Sequence, residues 1–286
     1  MSTGSAAVAA GARTDGGARL ALSGIRIYPV KSAAGIEVSR WEVDRFGLRY
    51  DRRWMVVDRA GDCMTQREHP RMALIGVALA DGVLELRAPG AAPLRLPTAP
   101  PRAAGSLDVR IWHDRVRATP VSDEADRWLS EVLGTPCRLV FRPDGAERCT
   151  RPPPAGAGVP IAFPDAYPFL LLSEESLDGL NARLAEPLPM NRFRPNLIVR
   201  GAAAAHAEDT WKRVRVGSIP MDVVKPCARC VITTTDQATG ERGVEPLRTL
   251  ATYRRKGSGV LFGQNLIHRD TGTLRVGDPI EVLAAG

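Results

Sequence analysis

Two cysteines lie three positions apart in the segment KPCARCVITTTDQATG, residues 225–240. Cys227 and Cys230 have Lys225 ahead of them, Arg229 between them and a run of β-branched residues after them. Paired thiols at this spacing serve as a disulfide, as half of a zinc site, as a redox couple or as thiolate ligands. The surrounding residues discriminate among these uses.

The first three uses each lack a feature that they require. Five cysteines are an odd and scattered set, which does not describe a disulfide framework. A structural zinc site needs a second Cys or His pair, and a thioredoxin-like couple lies where a strand turns into a helix. The sequence instead predicts strand on both sides of the pair, in MDVV and VITTTD. The remaining cysteines and histidines are isolated in sequence: Cys63, Cys137, Cys149, His69, His113, His206 and His268.

The charged neighbours of the pair favour the fourth use. Cysteines that are packed as small hydrophobic residues have apolar neighbours, whereas Lys225 and Arg229 flank these two. A nearby positive charge stabilises a thiolate over a thiol. The segment therefore suits a soft, thiolate-accepting metal or an anionic ligand, and the residues alone leave these two open.

Short apolar runs separated by turn residues must position these groups. From Leu20 the runs LALSGIRIYPV, RRWMVVD, ALIGVAL and VLELRAP follow one another at spacings of about ten residues. After position 195, NLIVRG, VRVGSIPMDVV, VITTTD and TLRVGDPIEVL continue the pattern. Period-two alternation and Gly/Asp turns predict strands that form a sheet or a small barrel.

Three segments predict helices. In SDEADRWLSEVLG, Ser122 is placed as the N-cap and Gly134 follows the last turn. Ser173 caps a second helix in SEESLDGLNARL, and EPLRTLATYRR predicts a third. The Pro/Gly-rich segment RPDGAERCTRPPPAGAGVPIAFPDAYP, between the first two helices, predicts a domain junction or a long functional loop.

The composition is that of a folded globular protein. Of 286 residues, 44% are hydrophobic and 25% are charged. The net charge of +7 suits nucleic acid, an acidic partner or a phosphorylated cofactor. Only 5% of the residues are aromatic and no Lys/Arg block occurs, so nucleic acid is not indicated. Residues 1–18 read as a disordered tail without a secretory signal, no run spans a membrane, and we expect a cytoplasmic protein.

Several separated motifs together resemble the MOSC family, named for the C-terminal domain of a molybdenum cofactor sulfurase. YPVKSAAGIEV and FGLRYDRRWMVVDRAGDCMTQREHPRMALI resemble its N-terminal β-barrel domain. RFRPNLIV, KPCARCVITTTDQATG and FGQNLIHRDTGTLRVGDPIEVL resemble the MOSC domain itself. The resemblance covers about residues 20–285 and is strongest to the mitochondrial amidoxime reducing component and its bacterial counterparts.

The resemblance implies an α+β, predominantly β fold, with an N-terminal β-barrel-like domain (19–145) packed on a MOSC β-barrel domain (146–286) and a few peripheral helices. It also implies a molybdenum cofactor, in which a pterin dithiolene (molybdopterin) holds the metal. Cys230 would complete the metal's ligands and be the catalytic residue, with Cys227 only a neighbour. The implied cofactor-binding residues are Lys31, Ser32, Arg52, Arg194 and Asn196, with Arg229 modulating the thiolate.

The function implied is the reduction of N-hydroxylated small molecules such as amidoximes, hydroxylamines and N-hydroxylated bases. No cysteine follows Cys230, so we expect a separate electron-transfer protein, of cytochrome b5 type or of ferredoxin type with its reductase. The alternative is a non-catalytic carrier of the cofactor, or of a sulfur atom on Cys230. His268 and Asp236 are candidate proton donors. The chain departs from its mitochondrial relatives at three positions, which leaves the substrate range open: Ala166, Tyr167 and Ala228.

Overall fold

The computed structural model describes residues 19–99, 105–150 and 158–286. Within these residues the chain forms nineteen β-strands and three α-helices, with short 3₁₀ turns between them. The prediction of an α+β, predominantly β fold is confirmed. The predicted disordered tail, residues 1–18, lies outside the described residues.

Alternating burial defines many of the strands. In one of them Leu84 and Leu86 are fully buried, while Val83 and Glu85 are only half-buried. The strands are β1 (Ala21–Ile27), β2 (Ile36–Val38), β3 (Arg40–Asp44), β4 (Gly47–Leu48), β5 (Trp54–Asp58), β6 (Gly76–Ala80), β7 (Val83–Arg87), β8 (Leu94–Pro97), β9 (Leu107–Ile111), β10 (Asp114–Pro120), β11 (Cys137–Phe141), β12 (Phe169–Ser173), β13 (Leu197–Arg200), β14 (Trp211–Val216), β15 (Ile219–Arg229), β16 (Arg255–Lys256), β17 (Gly259–His268), β18 (Gly272–Arg275) and β19 (Ile280–Ala285).

One large sheet contains strands from both ends of the chain. Its order is β19-β14-β15-β17-β12-β13-β1-β2, with β16 paired to β17, and only the β12–β13 pair is parallel. No continuous ladder closes the path among the described residues, but a bridge between Ala21 and Pro279 joins its β1 and β19 ends. The sheet therefore curves around one apolar core, which includes Leu22, Ile25, Leu171, Leu197, Val214, Met221 and Leu266.

Three smaller sheets pack beside the large one. Their orders are β5-β11-β10-β9, β6-β7-β8 and β18-β3-β4. The loop after β1 reaches the first of them, because Val30 bridges to Trp54 and the Lys31 amide donates to the Trp54 carbonyl at 2.8 Å. This bond fixes the segment that carries Lys31 and Ser32 between two sheets.

The three predicted helices are present, and two of them are capped as the sequence indicates. The helix α1 (Asp123–Leu133) begins after Ser122, whose hydroxyl accepts from the Ala125 amide at 3.1 Å, and it ends at the left-handed Gly134. Ser173 caps α2 (Glu174–Asn181), and α3 spans Leu247–Tyr253. None of the helices in the described residues combines the length and the apolar character needed to cross a bilayer.

One predicted strand is wrong. VITTTD does not continue as a strand: Val231–Thr234 is a 3₁₀ helix that begins at Cys230. The turn forms because the amide and the hydroxyl of Thr233 both donate to the Cys230 carbonyl, at 3.1 and 2.9 Å, and β-branched composition does not register this local bond. In the Pro/Gly-rich segment no named helix or strand occurs among the described residues beyond Phe141 and before Phe169, and positions 151–157 lie outside the description.

The contact of β17 with β12 depends on a glycine. Gly263 has a φ of +80°, and a Cβ on it would lie 2.9 Å from the Leu171 carbonyl oxygen. Gly257 has a φ of +58° but no atom within 4 Å of such a Cβ. We predict that Gly257→Ala costs about 1–2 kcal/mol of unfolding free energy from backbone strain alone. Gly263→Ala should cost at least about 1 kcal/mol more, because it adds overpacking.

Urea unfolding of both variants measures the two losses. Equal losses would contradict the prediction, since both glycines share the left-handed backbone and differ in the close approach of β12.

Candidate functional site

A cavity of about 270 Å³ lies where the two halves of the chain meet. Every residue that the resemblance implies for the site lines it: Lys31, Ser32, Arg52, Arg194, Asn196, Arg229 and Cys230. The three positions of departure, Ala166, Tyr167 and Ala228, line it as well. The structure thus brings the predicted residues together, and what they bind stays a prediction.

Cys230 lies at the end of β15, where the strand gives way to the 3₁₀ helix. Its side chain is half-buried in the cavity wall. Cys227 is also half-buried, and its sulfur accepts a hydrogen bond from Arg229 Nη1 at 3.1 Å. Arg229 Nη2 donates to the Phe193 carbonyl at 2.6 Å. The structure thus places the Arg229 guanidinium against the Cys227 sulfur, and the modulation of the Cys230 thiolate by Arg229 stays a prediction.

Tyr28 organises two of the cations. The guanidinium carbons of Arg52 and Arg194 lie 4.4 and 4.3 Å from the centre of its ring. The Tyr28 hydroxyl donates to the Pro195 carbonyl at 3.0 Å, and its amide donates to Asp51 at 2.7 Å. Burial lowers the pKa of Arg194 to about 10. Cation–π stacking thus offsets part of the cost of placing two guanidinium groups at one buried spot.

Asn196 lines the cavity with its amide already engaged. Its Oδ1 accepts from Arg52 Nη1 at 3.0 Å and from the Leu170 amide at 3.2 Å. Its Nδ2 donates to the Arg26 carbonyl at 3.2 Å. On these contacts Asn196 fixes the orientation of Arg52, and contact with a pterin stays a prediction.

A second group of charges centres on Asp165, which sequence reasoning missed. Lys31 Nζ lies 2.5 Å from Asp165 Oδ1, and Arg67 Nη2 lies 3.1 Å from its Oδ2. Partial desolvation opposes the charge on Asp165, whose side chain is 51% exposed, but the two cations outweigh it and hold its pKa below the ordinary range. Lys31 also donates to the Phe163 carbonyl at 3.0 Å. Asp165 and Arg67 come from FPDAYP and MTQREHP, segments that offer no spacing signal of their own.

The charges that line the cavity are strongly unbalanced. One carboxylate, Asp165, faces six cations: Lys31, Arg52, Arg67, Arg194, Lys225 and Arg229. Buried Nη1 of Arg67 and buried Nε of Arg229 have no hydrogen-bond partner among the described residues. Unpaired cationic donors and two half-buried sulfurs, one of them hydrogen-bonded to Arg229, form a donor set that fits an anionic ligand with a soft metal. The residues present therefore fit the molybdenum cofactor that the resemblance implies.

Backbone strain is concentrated around this cavity. Ser32, Arg52 and Arg194 have φ values of +66°, +49° and +55°. Residues other than glycine rarely adopt a positive φ, because this backbone conformation costs them about 1–3 kcal/mol each. The hydrogen bonds and stacking described above hold these residues in strained positions that direct their side chains to one place.

The two candidate proton donors lie outside the residues that line the cavity. His268 packs its ring edge on Phe169 at 5.4 Å, and burial lowers its pKa. Asp236 accepts from the Ala238 amide and pairs with Arg192 at 2.6 Å, and these contacts lower its pKa. Both side chains are held by structural contacts.

The structure bears on two of the alternatives for the cysteine pair, the disulfide and the zinc site. All five cysteines are free thiols. No cluster of three or more His, Cys, Asp or Glu side chains arranged to hold a metal ion occurs in residues 19–99, 105–150 and 158–286.

Comparison with known proteins finds the two domains that the sequence motifs resemble. Residues 19–136 match the MOSC N-terminal beta barrel domain, and residues 159–281 match the MOSC domain. The chain is 37% identical to mitochondrial amidoxime-reducing component 1 of Mus musculus over 274 residues, 90% of this chain and 80% of that protein. It is 38% identical to mitochondrial amidoxime reducing component 2 of Rattus norvegicus over 279 residues, 91% of this chain and 82% of that protein. The chain therefore belongs to the MOSC family, in the group that includes the mitochondrial amidoxime reducing components.

Proposed function

We propose that this protein reduces N-hydroxylated compounds, such as amidoximes, hydroxylamines and N-hydroxylated bases, with a bound molybdenum cofactor. The observation that carries the proposal is the half-buried thiol of Cys230 in the wall of a cavity lined by six cations and one carboxylate, next to a second thiol, Cys227, that accepts a hydrogen bond from Arg229. The names of the relatives, amidoxime reducing components that align over about nine tenths of this chain, support the same chemistry.

Each side chain has a defined task in this proposal. When bound, the cofactor supplies two-electron removal of oxygen from nitrogen, with two protons taken up and water released. Cys230 is the protein's ligand to the metal, since a soft thiolate suits a metal already bound by sulfur. Lys31, Ser32, Arg52 and Arg194 donate hydrogen bonds to the phosphate and the polar ring of the cofactor.

The electrons come from a separate redox protein of cytochrome b5 or ferredoxin type. The word component in the names of the relatives supports a system of several proteins. The cytoplasmic location stays a prediction.

The direct test is turnover of benzamidoxime. Purified protein that contains about one molybdenum per chain, supplied with a reduced viologen dye, should convert benzamidoxime to benzamidine, measured by chromatography. If the loaded protein reduces neither benzamidoxime nor a hydroxylamine, it is a carrier of the cofactor or of sulfur on Cys230.

The cysteine pair provides a matched test of the metal ligand. Cys230→Ser should lower the reduction rate by more than about 100-fold, because loss of a residue that merely supports a metal ligand already costs 10–100-fold. It should also change the visible absorption of the bound metal. Cys227→Ser should retain most of both, because its sulfur is engaged by Arg229. Equal behaviour of the two variants would overturn the assignment of Cys230.

The basic residues are tested through cofactor retention. Lys31→Ala and Arg52→Ala should lower the molybdenum content per chain after dialysis, because each removes a charge-assisted donor from the cavity. Circular dichroism should show that the fold is intact. The matched controls are the variants Lys212→Ala and Arg59→Ala. Both residues are exposed, and both variants should retain full metal content. Unchanged metal content in the first two variants would remove Lys31 and Arg52 from the site.

A further inference from the structure

Arg67 lies in the cavity wall and none of the tasks above uses it. Its Nη2 donates to Asp165 Oδ2 at 3.1 Å, and its guanidinium carbon lies 4.4 Å from the centre of the Trp112 ring. Its Nη1 is buried and has no hydrogen-bond partner among the described residues. That atom is closed to solvent, but 23% of the side chain is exposed, so a ligand can reach the rest of the guanidinium. The side chain is therefore held on two sides and still presents a cationic donor surface to the cavity.

The cavity has a deep end and an open end. The side chains of Lys31 and Arg52 are 6% and 13% exposed. Exposure rises to 23% for the side chain of Arg67 and 51% for that of Asp165, and Trp112 is 38% exposed as a residue. A cofactor held by Lys31 and Arg52 occupies the deep end, and Arg67 and Asp165 lie closer to solvent.

Arg67 and Cys230 line the same cavity. Burial lowers the pKa of Arg67, but the charge of the paired Asp165 carboxylate outweighs burial and raises it. Arg67 is thus a permanent cation in the cavity that holds the proposed metal ligand.

The position of Trp112 carries strain. It lies in the tight turn between β9 and β10, where Ile111 pairs with Asp114, and it has a φ of +56°. Glycine adopts this backbone without cost, whereas a bulky side chain does so rarely. Strain of this kind points to a role for the side chain beyond the turn. Here the Trp112 ring packs on one side of the Arg67 guanidinium, and Asp165 hydrogen-bonds to it on another.

We propose that Arg67 is a substrate-binding residue, whose guanidinium donates a hydrogen bond to the oxygen of the substrate's N–O group in the cavity that Cys230 also lines. Asp165 and Trp112 are positioning residues that hold the guanidinium in place. The proposal rests on the proposed function, because it assumes an N-hydroxylated substrate.

Binding is measured on the molybdenum-loaded protein without an electron donor, by calorimetric titration with benzamidoxime and with benzamidine, which lacks the oxygen. Arg67→Gln and Arg67→Lys should weaken benzamidoxime binding at least about tenfold, the usual size of one lost charge-assisted hydrogen bond. Benzamidine binding should change less than about twofold, since no oxygen is lost. Molybdenum content should equal that of the wild type. Arg71→Ala, an exposed arginine four residues away, is the matched control.

The positioning role is tested at the turn. Trp112→Gly relieves the backbone and should not lower the melting temperature, yet it should raise the KM for benzamidoxime severalfold by releasing Arg67. Trp112→Phe retains a ring and should stay within about twofold of the wild type.

Three results would overturn the inference. The first is benzamidoxime affinity in both Arg67 variants equal to that of the wild type. The second is an equal loss for benzamidoxime and benzamidine. The third is a loss of molybdenum in proportion to the loss of binding, which would make Arg67 a cofactor anchor. If the wild type binds benzamidoxime but does not reduce it, the proposed function fails while the titration still decides the role of Arg67.

Discussion

The main physical constraint on this structure is that six positively charged side chains line one cavity. Six cationic side chains and one carboxylate face a common space, and without compensation their mutual repulsion and desolvation would open it. The compensation has two centres. Tyr28 presents its ring to Arg52 and Arg194, and Asp165 pairs with Lys31 and Arg67. An anionic ligand would remove the remaining imbalance.

Both centres require that distant parts of the chain be held close together. Asp165 is 134 positions from Lys31, and Asn196 is 144 positions from Arg52. The large sheet makes this possible, because β1 pairs with β13 and the chain before β19 bridges back to Ala21. The backbone hydrogen bonds of the sheet thus fix the loops that carry the charges.

Rigidity at the cavity is obtained at the expense of local backbone preference. Ser32, Arg52, Trp112 and Arg194 all adopt positive φ, and each lies in the cavity wall or stands next to a residue that does. Residues with such conformations persist only where surrounding contacts over-determine them. Other segments of the same cavity wall contribute the half-buried sulfurs and the unpaired donors, so strain, charge and chemistry coincide in one region of the fold.

The sequence by itself determined the elements whose signals are local. Ser122 and Ser173 predicted their helices because an N-cap hydroxyl bonds to an amide three residues away, and period-two alternation predicted nine of the nineteen strands in the described residues. The family resemblance carried by the separated motifs predicted which residues share a cavity. Tertiary structure alone decided the contacts of Arg67 with Asp165 and Trp112, the engagement of Asn196 with Arg52, and the contact of Arg229 with Cys227. Most of these contacts join residues far apart in sequence, where neither propensity nor spacing carries information, and only the closing of the sheet brings them within hydrogen-bond reach.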